Sequence, residues 1–72
     1  LALGAWYRRP LGIVLNPATL RVSPHGRAPE LGPLDSGSAV RMLRRDRGWV
    51  LVRAAGSREG WVASDAIAAV GG

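Results

Sequence analysis

Hydrophobic and polar residues alternate with a period of two in several short stretches of the chain, as they do in β-strands that bury one face. The clearest stretches are residues 39–43 and 49–53. Each is short enough for one strand of a small sheet, and turn-forming residues follow it. The residues predicted for the core lie on the apolar face of such stretches: Val40, Met42, Val50, Val52 and Val62.

Glycine, proline and asparagine separate these stretches. Asn16-Pro17 ends a first strand, and residues 45–48 form a polar hairpin turn in which Gly48 can adopt a positive φ. Residues 23–33 contain three prolines and two glycines. We expect a long irregular loop there, because proline is poorly tolerated in helices and central strands.

The pattern as a whole predicts an all-β fold with five short strands. Short strands, frequent turns and one long loop are typical of a small barrel or sandwich. A short 3₁₀ turn is expected near the C-terminus at residues 64–67, where Ser64 or Asp65 can cap it. The chain has 72 residues, which is enough for one small domain with a thin core.

Positive charge is concentrated in arginine. The chain has ten basic and five acidic residues, a formal net charge of +5, and no lysine. One interpretation is recognition of phosphate or carboxylate groups, since guanidinium binds both with a planar fork. The other is compositional bias of a GC-rich genome, which the absence of lysine along the whole chain favours.

Candidate catalytic and metal-binding residues are few. The chain has no cysteine and one histidine, His25, which excludes disulfides, thiolate metal sites and histidine clusters. Glu30 with Asp35, or Glu59 with Asp65, could form a carboxylate pair, but we expect these acids to pair with nearby arginines instead. The sequence therefore predicts a protein that is not an enzyme, with no catalytic residue, cofactor or metal.

Residues 1–10 differ from the rest of the chain. An apolar stretch is followed by Trp6, Tyr7, Arg8 and Arg9, the order of residues at the end of a transmembrane helix. A first strand or a disordered end is the alternative. The expected organisation is a membrane-proximal segment at residues 1–10, a domain at residues 11–70 and a tail at residues 71–72.

Two Gly-Trp steps carry a resemblance to a known family. The sequence Gly-Trp-Val-Leu-Val-Arg at residues 48–53 is followed, after a turn, by Arg-Glu-Gly-Trp-Val at residues 58–62. Together with Leu20-Arg21-Val22 and the loop after it, this resembles a bacterial SH3 domain over about residues 12–68. The chain departs from the family at Val50, where an aromatic residue is common, and in its shorter loop after Val22.

The resemblance implies an SH3-like barrel that acts as a non-catalytic interaction module of the cell envelope. Its partner is then a protein or a peptidoglycan-type ligand. The order of parts also resembles the end of Bat-type aerotolerance proteins, which are tetratricopeptide-repeat membrane proteins. The arginines at 8 and 9 favour a cytoplasmic domain, whereas the family resemblance favours the extracytoplasmic side, which we expect.

The candidate binding residues lie in and around the predicted hairpin, and its arginines are expected to be exposed. Trp49 and Trp61 are expected mainly to fill the core, with Trp49 as an exposed platform as the alternative. An arginine-rich barrel that binds nucleic acid is the competing function, although few aromatic residues accompany the basic ones. The candidate ligand-binding residues are Trp49, Arg53, Arg41, Arg44, Arg45 and Arg47.

Overall fold

The computed structural model describes residues 10–70, and these fold into one antiparallel sheet of seven strands. The strands are β1 (Leu11–Val14), β2 (Ala18–Arg21), β3 (Glu30–Leu34), β4 (Ala39–Asp46), β5 (Trp49–Ala54), β6 (Arg58–Ala63) and β7 (Ile67–Ala69). Their order across the sheet is β3-β2-β6-β5-β4-β1-β7. Two 3₁₀ turns, Ala55–Ser57 and Ser64–Ala66, join β5 to β6 and β6 to β7.

The prediction of an all-β fold is confirmed. The prediction of five strands in a closed barrel is not, because the described residues form seven strands in an open sheet. The two additional strands, β3 and β7, lie at the edges of the sheet, which does not close within residues 10–70. Strand β3 occupies part of the predicted loop and contains Pro33. An edge strand accommodates proline because one side of its backbone needs no partner in the sheet.

The predicted core is confirmed. Val40, Met42, Val50, Val52 and Val62 are all buried, and they contact one another in one apolar cluster. The structure adds residues from outside the strongest stretches, above all from β1, β2 and β3: Val14, Leu20 and Leu34. The core therefore unites local hairpins with strands that are distant in the sequence.

A two-residue turn fixes the register of the β4–β5 hairpin. Arg47 and Gly48 have φ values of 47° and 85°, the pair of positive φ values that a type I′ turn requires. The turn brings Asp46 opposite Trp49. The predicted positive φ of Gly48 is thus confirmed, and the turn determines which side chains of β5 face outward.

A β-bulge interrupts β4 four residues before this turn. Met42 lies opposite Val52, but Arg44 lies opposite Leu51, so that Leu43 is the extra residue. Such a bulge changes the direction in which the following side chains point. Beyond the bulge, β4 pairs with β5 but not with β1.

The predicted membrane-proximal segment falls on residues that the structure does not describe, except for Pro10. The tail at residues 71–72 is also outside the described residues. Within residues 10–70, no helix has the length and apolar character needed to span a bilayer.

Candidate functional site

Both tryptophans of the Gly-Trp steps lie on the face of the sheet opposite the core. Trp61 pairs with Leu51, and Trp49 pairs with Ala63, so these four side chains share the outer face. All four are half-buried. The expectation that Trp49 and Trp61 fill the core is therefore wrong, because a period of two cannot bury them together with Val50 and Val62.

Arg21 extends this outer face onto the neighbouring strand. It pairs with Trp61 across β2 and β6. Its Nη1 donates a 2.9 Å hydrogen bond to the carbonyl oxygen of Ala28, and its Nη2 lies 3.7 Å from Oε2 of Glu30. These contacts direct the guanidinium group toward β3 and the connection before it, on the side of β2 away from β6. The alternation of Leu20, Arg21 and Val22 was the signal that could have identified Arg21 as an outer-face residue.

An open groove of about 480 Å³ runs beside Trp49. We call it the Trp49 groove. Its lining combines an indole ring, a guanidinium group, a carboxylate, an amide and a hydroxyl group. The lining residues are Asn16, Pro17, Ala18, Thr19, Arg21, Trp49, Ala63, Asp65 and Ala66.

Backbone hydrogen bonds hold the walls of the Trp49 groove together. The amide of Leu15 donates to the carbonyl oxygen of Ala66 over 2.7 Å, which joins the β1–β2 connection to the second 3₁₀ turn. The amide of Ser64 donates to the carbonyl oxygen of Gly48 over 2.8 Å, which joins the same turn to the β4–β5 hairpin. The predicted side-chain capping of this turn by Ser64 or Asp65 does not occur, because Ala63 occupies the N-cap position. The groove is preorganised by backbone contacts.

The predicted arginines fall into two groups. Arg44, Arg45 and Arg47 are exposed as expected, but Arg41 is half-buried. The register explains the difference, because Arg41 lies opposite Arg53 in the middle of the outer face, before the bulge. Arg53 in turn places its Nη1 3.5 Å from Oε1 of Glu59.

The structure therefore separates the predicted ligand-binding residues instead of gathering them. Trp49 lines the Trp49 groove. Arg41 and Arg53 pair with each other elsewhere on the outer face and do not line that groove. Arg44 and Arg45 line another groove, beside the bulge. Arg47 lies in the hairpin turn that joins β4 to β5.

Of the four acidic residues that the sequence predicts to pair with arginine, two do so within residues 10–70, whereas Asp35 and Asp65 form no ion pair there. Glu30 pairs with Arg21 and Glu59 with Arg53, as the sequence predicts for these two acids. His25 is exposed in the connection between β2 and β3. No group of histidine, aspartate and glutamate residues within the described part of the chain is arranged to hold a metal ion.

The chain matches the sequence profile of a known protein family. The sequence profile of the bacterial SH3 domain matches residues 16–68. This span contains both Gly-Trp steps and every residue that lines the Trp49 groove. Comparisons with curated proteins and with solved structures give no significant match. The match concerns the domain itself and gives no support to the tetratricopeptide-repeat context.

Proposed function

Because the chain belongs to the bacterial SH3 domain family, we propose that it is a non-catalytic module that binds an extended peptide in the Trp49 groove. Domains of this family are generally binding modules for proteins or cell-wall ligands. The peptide belongs either to a protein partner or to the peptide component of the cell wall. The observation that carries the proposal is the groove itself, a preformed cleft with one aromatic ring between two walls joined by backbone hydrogen bonds.

The chemistry of the lining fits a peptide better than other ligands. The ring of Trp49 offers a surface for an apolar side chain, the carboxylate of Asp65 accepts from peptide N–H or ammonium groups, and Arg21 donates to a carbonyl or carboxylate oxygen. The carboxylate of Asp65 disfavours a polyanion, because it repels the phosphate groups that Arg21 would attract. With one aromatic side chain, the groove also differs from the aromatic-lined grooves that bind proline-rich helices.

We expect Trp49→Ala to weaken peptide binding by about tenfold or more, because a central aromatic residue of a binding groove typically contributes most of the binding energy. The probes are a phage-displayed library of random peptides and purified cell-wall sacculi with intact stem peptides. Binding is measured for the wild-type chain and for each variant after circular dichroism has shown that it is folded.

Trp61→Ala is the matched control, since Trp61 is a half-buried tryptophan of the same sheet face but does not line the groove. It should retain peptide binding. The proposal is contradicted if neither probe yields a ligand that depends on Trp49, or if both tryptophan variants lose binding equally while they stay folded.

We also propose that the domain is tethered to a membrane upstream of residue 10 and lies on the extracytoplasmic side. The support is the sequence of residues 1–9, in which an apolar stretch precedes Trp6, Tyr7 and two arginines. The association of this family with cell-wall ligands supports the side. In a bacterial cell, alkaline phosphatase fused after Gly72 should be active, whereas a fluorescent protein that matures only in the cytoplasm should stay dark. The opposite result refutes the location.

A further inference from the structure

A second groove lies beside the bulge of β4, away from the Trp49 groove. We call it the bulge groove; its volume is about 540 Å³. Its floor is apolar, and two guanidinium groups stand at its rim. The described residues that line it are Pro10, Met42, Leu43, Arg44, Arg45 and Ala69.

The bulge explains why two consecutive arginines reach the same groove. Arg44 lies opposite the outer-face residue Leu51, and Arg45 lies opposite the core residue Val50, so the two point to opposite faces of β4. The groove lies along the edge between those faces. One anionic group at this edge can therefore contact a guanidinium on each side.

The floor of the bulge groove is held in place by the backbone. The amide of Met42 donates a 2.8 Å hydrogen bond to the carbonyl oxygen of Pro10. The amide of Val70 donates a 2.9 Å hydrogen bond to the carbonyl oxygen of Leu11. These bonds attach the start of β1 to β4 on one side and to the end of β7 on the other. The apolar surface is thus present before any ligand arrives.

The charge at the rim is not neutralised by the domain. The ion pairs seen within residues 10–70 use Arg21 and Arg53, and neither involves Arg44 or Arg45. Both side chains are exposed, and Arg47 adds a third exposed positive charge nearby in the hairpin turn. An anionic ligand is the complement of such a rim.

We propose that the bulge groove binds the headgroup and the upper acyl chain of an anionic phospholipid. The phosphate contacts Arg44 and Arg45, and the glycerol and first methylene groups lie on Met42, Leu43 and Ala69. A free phosphate or a nucleic acid would leave this apolar floor unused. An acidic peptide would need hydrogen-bonding groups that the floor does not offer.

The position of the groove along the chain favours a lipid. Pro10, which lines it, directly follows Trp6, Tyr7 and two arginines in the sequence. These residue types concentrate at membrane interfaces. The four residue steps from Trp6 to Pro10 can span at most about 15 Å. Pro10, and with it the groove, is therefore tied by the chain to within that distance of Trp6. This inference concerns a different surface from the Trp49 groove, and either can fail without the other.

The test is flotation of the 72-residue chain with vesicles of phosphatidylcholine alone and of phosphatidylcholine mixed with phosphatidylglycerol. The double variant Arg44→Gln/Arg45→Gln should reduce binding to the anionic vesicles by about tenfold or more, because each arginine near an anionic membrane surface adds to the binding free energy. The double variant Arg27→Gln/Arg58→Gln removes the same charge from exposed positions outside the groove. It should retain most of the binding.

A second measurement locates the lipid. In an NMR titration, a soluble short-chain phosphatidylglycerol should shift the amide signals of Met42, Leu43 and Ala69, whereas inorganic phosphate should not. Equal losses in the two double variants, equal binding to uncharged vesicles, or the same shifts with phosphate alone each overturn the proposal. Stronger binding of a single-stranded oligonucleotide at these residues also overturns it and identifies a nucleic-acid site instead.

Discussion

Leu20→Ala is expected to lower the free energy of unfolding by about 2–5 kcal/mol, the cost of removing a buried leucine side chain. Leu20 is 1% exposed and is among the largest fully buried side chains of the core. A chain of 72 residues has a total stability of about 4–11 kcal/mol. The substitution should therefore remove a large part of it, because Leu20 is the one fully buried side chain of β2 and Ala18 packs against the core only in part.

Urea unfolding followed by tryptophan fluorescence measures this loss. Leu15→Ala is the matched control, since Leu15 is 52% exposed and keeps its backbone hydrogen bond to Ala66. Its free energy of unfolding should change by less than about 0.5 kcal/mol, as is usual for surface substitutions. Similar losses in the two variants would show that Leu20 does not occupy the core.

The sequence was sufficient to predict the β4–β5 hairpin because the hairpin is specified locally. Alternation in residues 39–43 and 49–53 assigns Val40, Met42, Val50 and Val52 to one face, and the turn before Trp49 needs a glycine. Every one of these signals lies within sixteen residues, from Ala39 to Ala54. Local pattern and tertiary structure agree here.

The edge strands could not be predicted because they depend on partners that are distant in the sequence. β7 has three residues and gains its place by pairing with β1. β3 contains a glycine and a proline in five residues, a composition typical of a loop. Only the pairing of β2 with β3 makes this segment a strand.

The candidate sites were predicted in part. Trp49 was identified from the Gly-Trp step, but the other members of the Trp49 groove come from the β1–β2 connection, from β2 and from the second 3₁₀ turn. The expected exposure of Arg41 was wrong, because Arg41 lies between Leu11 of β1 and Arg53 of β5. The sequence also did not predict the bulge, whose extra residue, Leu43, brings Arg44 opposite Leu51 and so onto the same face of the sheet as Arg41.

Gly60 determines how closely β2 approaches β6, and a methyl group there should be costly. A Cβ at this position would lie 3.0 Å from Cβ of Leu20, 3.1 Å from the carbonyl oxygen of Arg21 and 3.2 Å from Cδ1 of Leu31. The carbonyl oxygen belongs to the backbone of β2 and can retreat only if the strand moves. We therefore expect Gly60→Ala to cost about 1–3 kcal/mol of unfolding free energy, the usual cost of overpacking.

Gly26→Ala is the matched control for this prediction. A Cβ at Gly26 meets no atom within 4 Å, and the residue has no positive φ. It should leave stability unchanged or raise it by up to about 1 kcal/mol, because alanine restricts the unfolded chain more than glycine does. In Gly60→Ala, displacement of β2 should also move Arg21 away from Trp49 and weaken peptide binding in the folded fraction. If Gly60→Ala is as stable as Gly26→Ala and binds peptide normally, the contact between β2 and β6 does not position the Trp49 groove.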